Sequence, residues 1–251
     1  MTNQDFPEES GIEFDINYED LLFDLLHEAH TLSNVISKYS TIISRAVNGS
    51  KIDENAIRDH ANKIVESANL LSLWLNMTEL EINPGYFENQ APLPDISLYG
   101  RFHKAKINFK QVARDKKIKV SISGESEALL SMYPIIDMLP YVLLENALKY
   151  SPKEDEIEIE FNETADFIKV AVCSVGPTLR KDELDRVFEK GFRGDIAKRI
   201  VAQGSGRGLA LAKQICDIHN ATIHIETGSE KFTIDGVFHS NFNVVMKFPR
   251  R

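Results

Sequence analysis

The chain is short of basic residues: 29 Lys and Arg stand against 38 Asp and Glu, a formal net charge of −9 at pH 7. Binding along a nucleic-acid backbone relies on a positive surface, so this balance argues against nucleic acid as a direct partner. There are only two cysteines, Cys173 and Cys216, far apart, in apolar surroundings and without metal-ligand spacing. They read as reduced core thiols rather than as a disulfide framework. No apolar run approaches the ~20 residues needed to cross a bilayer, and no secretory signal stands at Met1. The expectation is a cytoplasmic chain with no direct membrane span. Internal repeats and low-complexity tracts are absent as well. With 251 residues there is length for one sizeable α/β core plus a helical element. Residues 1–16, which include Asp5-Phe6-Pro7-Glu8-Glu9-Ser10-Gly11, read as a disordered acidic leader.

Residues 17–80 have a different pattern from the rest. Tyr18, Leu22, Leu25, Ala29, Leu32, Ile36, Tyr39, Ile43 and Ala46 recur at alternating steps of four and three, and so do Ile57, Ala61, Ile64, Ala68, Leu71 and Leu75. That periodicity predicts two helices with an apolar seam, joined by the turn Asn48-Gly49-Ser50-Lys51-Ile52-Asp53. One such hairpin buries a single face and is too thin to be stable alone. Pairing with a second copy into a four-helix bundle solves this, so a homodimer through the hairpin is expected.

In the remaining chain, Leu143-Leu144-Glu145-Asn146-Ala147-Leu148-Lys149-Tyr150-Ser151-Pro152 reads as the end of an apolar helix. Asn146, Lys149 and Tyr150 fall on one face at spacings of three and four. An amide for a hydrated metal, a cation for phosphate and a ring for a base suit a nucleotide, although the decapeptide also fits an ordinary amphipathic helix. Further on, Gly204-Ser205-Gly206-Arg207-Gly208-Leu209 places alternating glycines directly before an apolar-periodic helix. Glycine lets the backbone come close to a ligand, and the unpaired N–H groups of the following helix suit phosphate. A dinucleotide fingerprint would need a preceding strand, whereas residues 193–203 are polar. Between the two runs lie a strand reaching Ser174-Val175-Gly176-Pro177 and the segment Phe188-Glu189-Lys190-Gly191-Phe192-Arg193.

A helix with Asn, a strand ending in a Gly-Pro turn, a Phe-x-x-x-Phe-Arg segment and a Gly-x-Gly-x-Gly loop, in that order, resemble the ATP-binding domain of sensor histidine kinases. That fold is shared with gyrase and the Hsp90 chaperones. The resemblance covers residues 93–249 and implies Mg2+-ATP as cofactor, with Asn146 on the metal. It also implies nucleotide contacts from Lys149, Tyr150, Ser174, Gly176, Arg193, Gly204, Gly206, Arg207, Gly208 and Leu209. Upstream, His27-Glu28-Ala29-His30-Thr31-Leu32 is similar to the family's phosphoacceptor box. The match implies His27 as nucleophile, Glu28 as its orienting or proton-accepting partner, and Thr31 as the residue that helps position water. Neutral imidazole keeps an unprotonated nitrogen near neutral pH, which suits a nucleophile. His30 is the fallback acceptor. A response-regulator receiver domain is the implied partner.

Within the ATP-binding domain this sequence departs from the family pattern in three places. Ser174 stands where the family usually carries the Asp that receives the adenine amino group, and Thr178 replaces a second glycine. A hydroxyl still accepts that hydrogen bond but gives up its charge-assisted part, about 1 kcal/mol. Val142, four residues before Asn146, replaces a polar residue that is a water-activating Glu in the hydrolytic relatives, so little intrinsic ATP hydrolysis is expected. Two readings result. One is a protein-histidine kinase; the other is a phosphotransfer or scaffold protein that keeps the shape without using ATP.

The expected fold class is α+β: the helical hairpin, residues 17–80, followed by a two-layer α/β sandwich, residues 93–251. Strands are expected at 117–123, 156–161, 167–173, 222–227, 236–238 and 241–248, in a mixed sheet with helices on one face. Helices are expected at 98–114, 132–150, 181–188 and 209–219. Pro140 should kink the third of these stretches' predecessor, 132–150, near residue 137 or 138, and residues 194–204 have the polarity of a lid over nucleotide.

Overall fold

The computed structural model describes residues 18–48, 53–83, 93–200 and 206–250; the acidic leader lies outside them. The chain divides between Thr78 and Glu79 into two units. The first carries α1 (Tyr18–Val47) and most of α2 (Glu54–Ile82). Asp53 starts α2 because its Oδ1 accepts the N–H groups of Asn55 and Ala56 at 3.0 and 3.1 Å, filling otherwise orphaned donors. The rings of Tyr39 and His60 lie 5.2 Å apart, so the two helices touch near their connection. Leu32, Ser67 and Thr78 are buried, whereas the seam residues Leu22 and Leu75 are 54% and 51% exposed. No helix of the described residues is long and apolar enough to cross a membrane.

After the end of α2, the second unit continues with β1 (Asp95–Ser97), α3 (Leu98–Asn108), α4 (Lys110–Asp115), β2 (Lys119–Ser123) and β3 (Leu129–Ser131). A 3-10 turn, Pro134–Asp137, leads into α5 (Met138–Tyr150), then β4 (Glu156–Glu163) and β5 (Phe167–Pro177). Two short helices, α6 (Lys181–Leu184) and α7 (Asp195–Ile200), precede α8 (Gly208–Ile218), β6 (Thr222–Ile234) and β7 (Val237–Pro249). The main sheet has the order β2-β4-β5-β7-β6, with β2 parallel to β4 and the other pairs antiparallel. β1 and β3 form a separate antiparallel pair.

Strand alternation makes this a two-layer structure. Along β4, Ile157, Ile159 and Phe161 are buried, while Glu156 and Glu160, which alternate with them, are exposed. The register sets Ile159 opposite Val172 and Phe161 opposite Val170, joining the apolar rows into one face. That face is covered by helices: Phe102 of α3 meets Phe161 edge-on at 5.6 Å, and α5 packs on β5 and α8. The other face carries charges, among them the Lys119–Glu156 pair at 2.7 Å. Cys173 lies on it opposite Glu158, half-buried, and Cys216 is buried in α8; both are free thiols. Burial first, then nearby carboxylates, push the Cys173 thiol up to about 12; burial and Asp217 do the same for Cys216, also to about 12.

The mixed sheet and its helical layer follow the sequence expectation, but several boundaries do not. The expected helix 98–114 breaks at Phe109, whose ψ of 3° interrupts the α geometry. Residues 117 and 118 are not strand, because Lys117 turns the chain at φ 56°. The expected helix 181–188 retains only Lys181–Leu184. The expected strand 236–238 is the start of the long β7, after a turn in which Asp235 and Gly236 both have positive φ. The three-residue strands β1 and β3 were not foreseen.

Candidate functional site

α5 supplies one wall. It buries Met138, Leu139, Pro140, Val142, Leu143, Leu144, Ala147 and Leu148, leaving Asn146, Lys149 and Tyr150 half-buried. The 3-10 turn ends at Asp137, so Pro140 falls in the first turn of α5, where its missing N–H costs no helical hydrogen bond. The discontinuity is where the sequence places a kink, at residues 137 and 138. Asp137 there pairs with Arg101 Nε at 2.8 Å. At the other end, Ser151 is extended ahead of Pro152 and stops the helix. Lys116 Nζ donates to the carbonyls of Leu148 and Lys149, the latter at 3.1 Å, which caps the negative end of α5. Burial, then the charge of Lys153, lowers the Lys116 pKa. Lys149 Nζ lies 5.8 Å from the centre of the Tyr150 ring, so these two side chains do meet.

β5 supplies the floor. Ser174 continues the inward row of Val170 and Val172 and is buried; its Oγ donates to the Phe242 carbonyl at 3.0 Å. With its proton directed at a carbonyl, this oxygen offers a new N–H only lone pairs. Gly176 and Pro177 are not a turn, as the sequence suggested, but belong to the strand, opposite Ser240 and His239. A Cβ on Gly176 would meet Phe242 Cβ at an ordinary 3.7 Å. The strand ends just before Thr178, whose N–H donates to the Phe238 carbonyl and whose buried Oγ1 has no partner among the described residues.

The glycine loop closes the arrangement. Gly206 has φ 70°, and a Cβ on it would lie 2.7 Å from Gly191 C and Phe192 O, so only glycine fits against that backbone. Gly208 opens α8, and a Cβ on it would stand 3.4 Å from Val142 Cγ1. Val142 is 4% exposed, so it fills the junction of α5 and α8, and Asn146 lies one helical turn beyond it on the same face. Arg207 is buried, Leu209 half-buried, and α8 starts without a side-chain cap. The first N–H groups of such a helix suit an anion. Arg193 Nη2 donates to the Ala197 carbonyl at 3.2 Å. Gly204 lies outside the described residues.

In the other unit Thr31 and His30 are exposed on α1. His27 and Glu28 belong to the same helix, but their side chains lie outside the described ones. The structure also shows residues that the motifs did not single out. Besides Lys116, these are Glu183, 3% exposed, and His219. His219 Nδ1 donates to the Ile215 carbonyl at 2.7 Å and Nε2 accepts the Tyr133 N–H at 3.1 Å, joining the end of α8 to the approach to α5. Burial lowers its pKa, against these two hydrogen bonds. A capping-box search misses Glu183 because Arg180, not Ser or Thr, stands three residues before it.

This combination of a mixed sheet, an Asn-bearing helix and a glycine loop against a helix N-terminus defines a class of nucleotide-binding domain. Residues 140–249 match the family described as histidine kinase-, DNA gyrase B- and HSP90-like ATPase. The sensor-like histidine kinase SenX3 of Mycobacterium bovis is 26% identical over 208 residues, covering 82% of this chain and 50% of that protein. Full-length ShkA in complex with AMPPNP shares the fold at a TM-score of 0.53 and 15% identity, over 94% of this chain and 47% of that one. The nucleotide-free catalytic domain of the histidine kinase ThkA does so at 0.51 and 17%, over 63% and 97%. These likenesses support a histidine kinase catalytic core, and the chain spans about half the length of the curated relatives it matches. The relay reading is not favoured by these relatives, of which SenX3 and ThkA are named as histidine kinases.

Proposed function

We propose that the chain is a protein-histidine kinase core that binds Mg2+-ATP in residues 93–251 and phosphorylates His27 in the helical unit, residues 17–80. The observation that carries this reading is the junction of α5 with α8, where Val142 meets Gly208 and Gly206 is seated on Gly191 and Phe192. With Asn146 one helical turn beyond Val142, it supports a reading in which an amide and the start of α8 serve one nucleoside triphosphate. Asn146 would hold Mg2+, which when bound neutralises charge on the phosphates. Lys149, Arg193, Arg207 and the N–H groups of Gly206, Gly208 and Leu209 contact the phosphates. Tyr150 and Gly176 border the base, and the Ser174 oxygen accepts the adenine amino group, a role its bond to the Phe242 carbonyl supports.

In the transfer, the unprotonated ring nitrogen of His27 bonds to the γ-phosphorus, the bond to the bridging oxygen breaks, and ADP leaves with that electron pair. Glu28 orients the ring and takes its proton. An aspartate of a response-regulator receiver domain then accepts the phosphoryl group, and Thr31 helps position water when it is lost. Val142, apolar and packed, neither ligates a metal nor takes a proton from water, so the purified chain hydrolyses ATP slowly. Incubation with γ-labelled ATP should give acid-labile phosphate in the wild type and none in His27→Gln. Label retained in the variant would exclude His27. A wild type whose melting temperature does not move with millimolar Mg2+-ATP would favour the ATP-independent relay.

A further inference from the structure

A cleft of about 250 Å3 lies beside this site, lined by Arg180, Glu183, Arg186, Phe192, Asp195 and Lys198 among others. Three of its cations are already paired. Arg180 reaches Asp182 at 3.2 Å and Asp195 at 2.9 Å, Arg186 reaches Glu189 at 3.0 Å and lies over the Phe192 ring at 4.6 Å, and Lys198 faces Asp195 at 3.8 Å. The cleft therefore reads as an internal brace rather than as a second anion site.

At its centre is Glu183. Its side chain is 4% exposed, and each oxygen holds one backbone donor: Oε2 accepts the Arg180 N–H at 2.9 Å and Oε1 the Asp195 N–H at 2.9 Å. A buried carboxylate is costly unless such bonds satisfy it. The bond to Asp195 ties the first residue of α7 back to α6 and closes residues 183–195 into a ring of chain. Gly194 is buried inside this closure; a Cβ there would come within 3.1 Å of Leu179 Cδ2 and 3.2 Å of Glu183 Oε1. The closed segment contains Gly191 and Phe192, on which Gly206 is seated, and Arg193, whose guanidinium is held by α7 through Ala197.

We propose that Glu183 is a positioning residue for nucleotide binding: by fixing the start of α7 it sets Arg193 and the backbone platform that receives Gly206. This rests on the kinase reading, but the placement of α7 is testable without nucleotide. In Glu183→Gln an NH2 group replaces one acceptor and confronts a backbone N–H, so one of the two donors loses its partner. Hydrogen exchange of the full chain without nucleotide should show residues 191–200 exchanging about tenfold faster, with β4 and β5 unchanged. Affinity for a fluorescent ATP analogue with Mg2+ should fall about tenfold. Adding Glu183→Gln to Arg193→Ala should cost less than Glu183→Gln costs the wild type, because part of its effect passes through Arg193. If Glu183→Gln does not fold, Asp195→Pro removes the same donor at a helix position that tolerates proline, and the same local pattern is expected.

Unchanged exchange in residues 191–200, faster exchange throughout the sheet, or fully additive losses in the double variant would each overturn the assignment. A wild type that binds no nucleotide counts against the kinase reading, and the exchange result then decides the role of Glu183 by itself.

Discussion

Gly206 tolerates no side chain, for two separate reasons: its φ is 70°, and a Cβ would press on the backbone of Gly191 and Phe192. A left-handed conformation alone costs a non-glycine residue about 1–2 kcal/mol. Gly206→Ala should therefore lower the melting temperature and weaken Mg2+-ATP binding together; unchanged binding would mean that the loop does not have to sit there. His219 gives a pH dependence. Its folded pKa is lowered by burial, so its contribution is fully present above the unfolded value, ~6.5, and is lost as pH falls through the folded value. Urea unfolding between pH 7.5 and 5 should show stability falling in the wild type, and falling less in His219→Gln. Equal slopes would remove His219 from the account. At this scale the sequence made Asn146, Lys149 and Tyr150 legible, because they stand within about one helical turn of each other. Lys116, Glu183 and His219 were not legible. Each binds backbone groups remote in the chain, the His219 contact spanning 86 residues, and a backbone N–H or carbonyl leaves no trace in residue identity.

Elements depend on such remote groups as well. The last turn of α5 carries Lys149 and Tyr150, and its carbonyls are taken up by Lys116 from the loop before β2. Lys116→Met keeps the aliphatic stem and removes the donor. It should cost about 1–2 kcal/mol by urea denaturation with an unchanged m-value, and should weaken nucleotide binding as the helix end frays. A variant as stable as the wild type would show the cap to be dispensable. The long elements were readable because α8 repeats its apolar residues at helical spacing and β4 alternates Ile157, Ile159 and Phe161 with charge. The short ones were not. β1 and β3 have three residues each, too few to show a period, and the break at Phe109 is a matter of one backbone angle. Pro140 signalled a real discontinuity, which the chain meets by starting α5 at Met138 rather than by bending it.

For the whole molecule, the apolar side chains left on α1 and α2 bear directly on assembly. Leu22, Leu26, Val65 and Leu75 are each about half exposed, between 48% and 56%. Sedimentation of the purified chain at micromolar concentration should give a dimer, and Leu26→Glu with Val65→Glu should shift it to monomer without melting the second unit. A monomeric wild type would refute pairing through the helices. The two cysteines have a practical consequence. A thiol reacts with alkylating reagents as its thiolate, and both thiols are pushed up to about 12, so almost none is ionised near neutral pH. Slow reaction of both thiols with maleimides near neutral pH is the expected outcome. Two cysteines introduced at exposed positions, one on α1 and one on α7, can then carry a pair of spin labels while Cys173 and Cys216 stay in place, so that the distance between them can be compared with and without nucleotide.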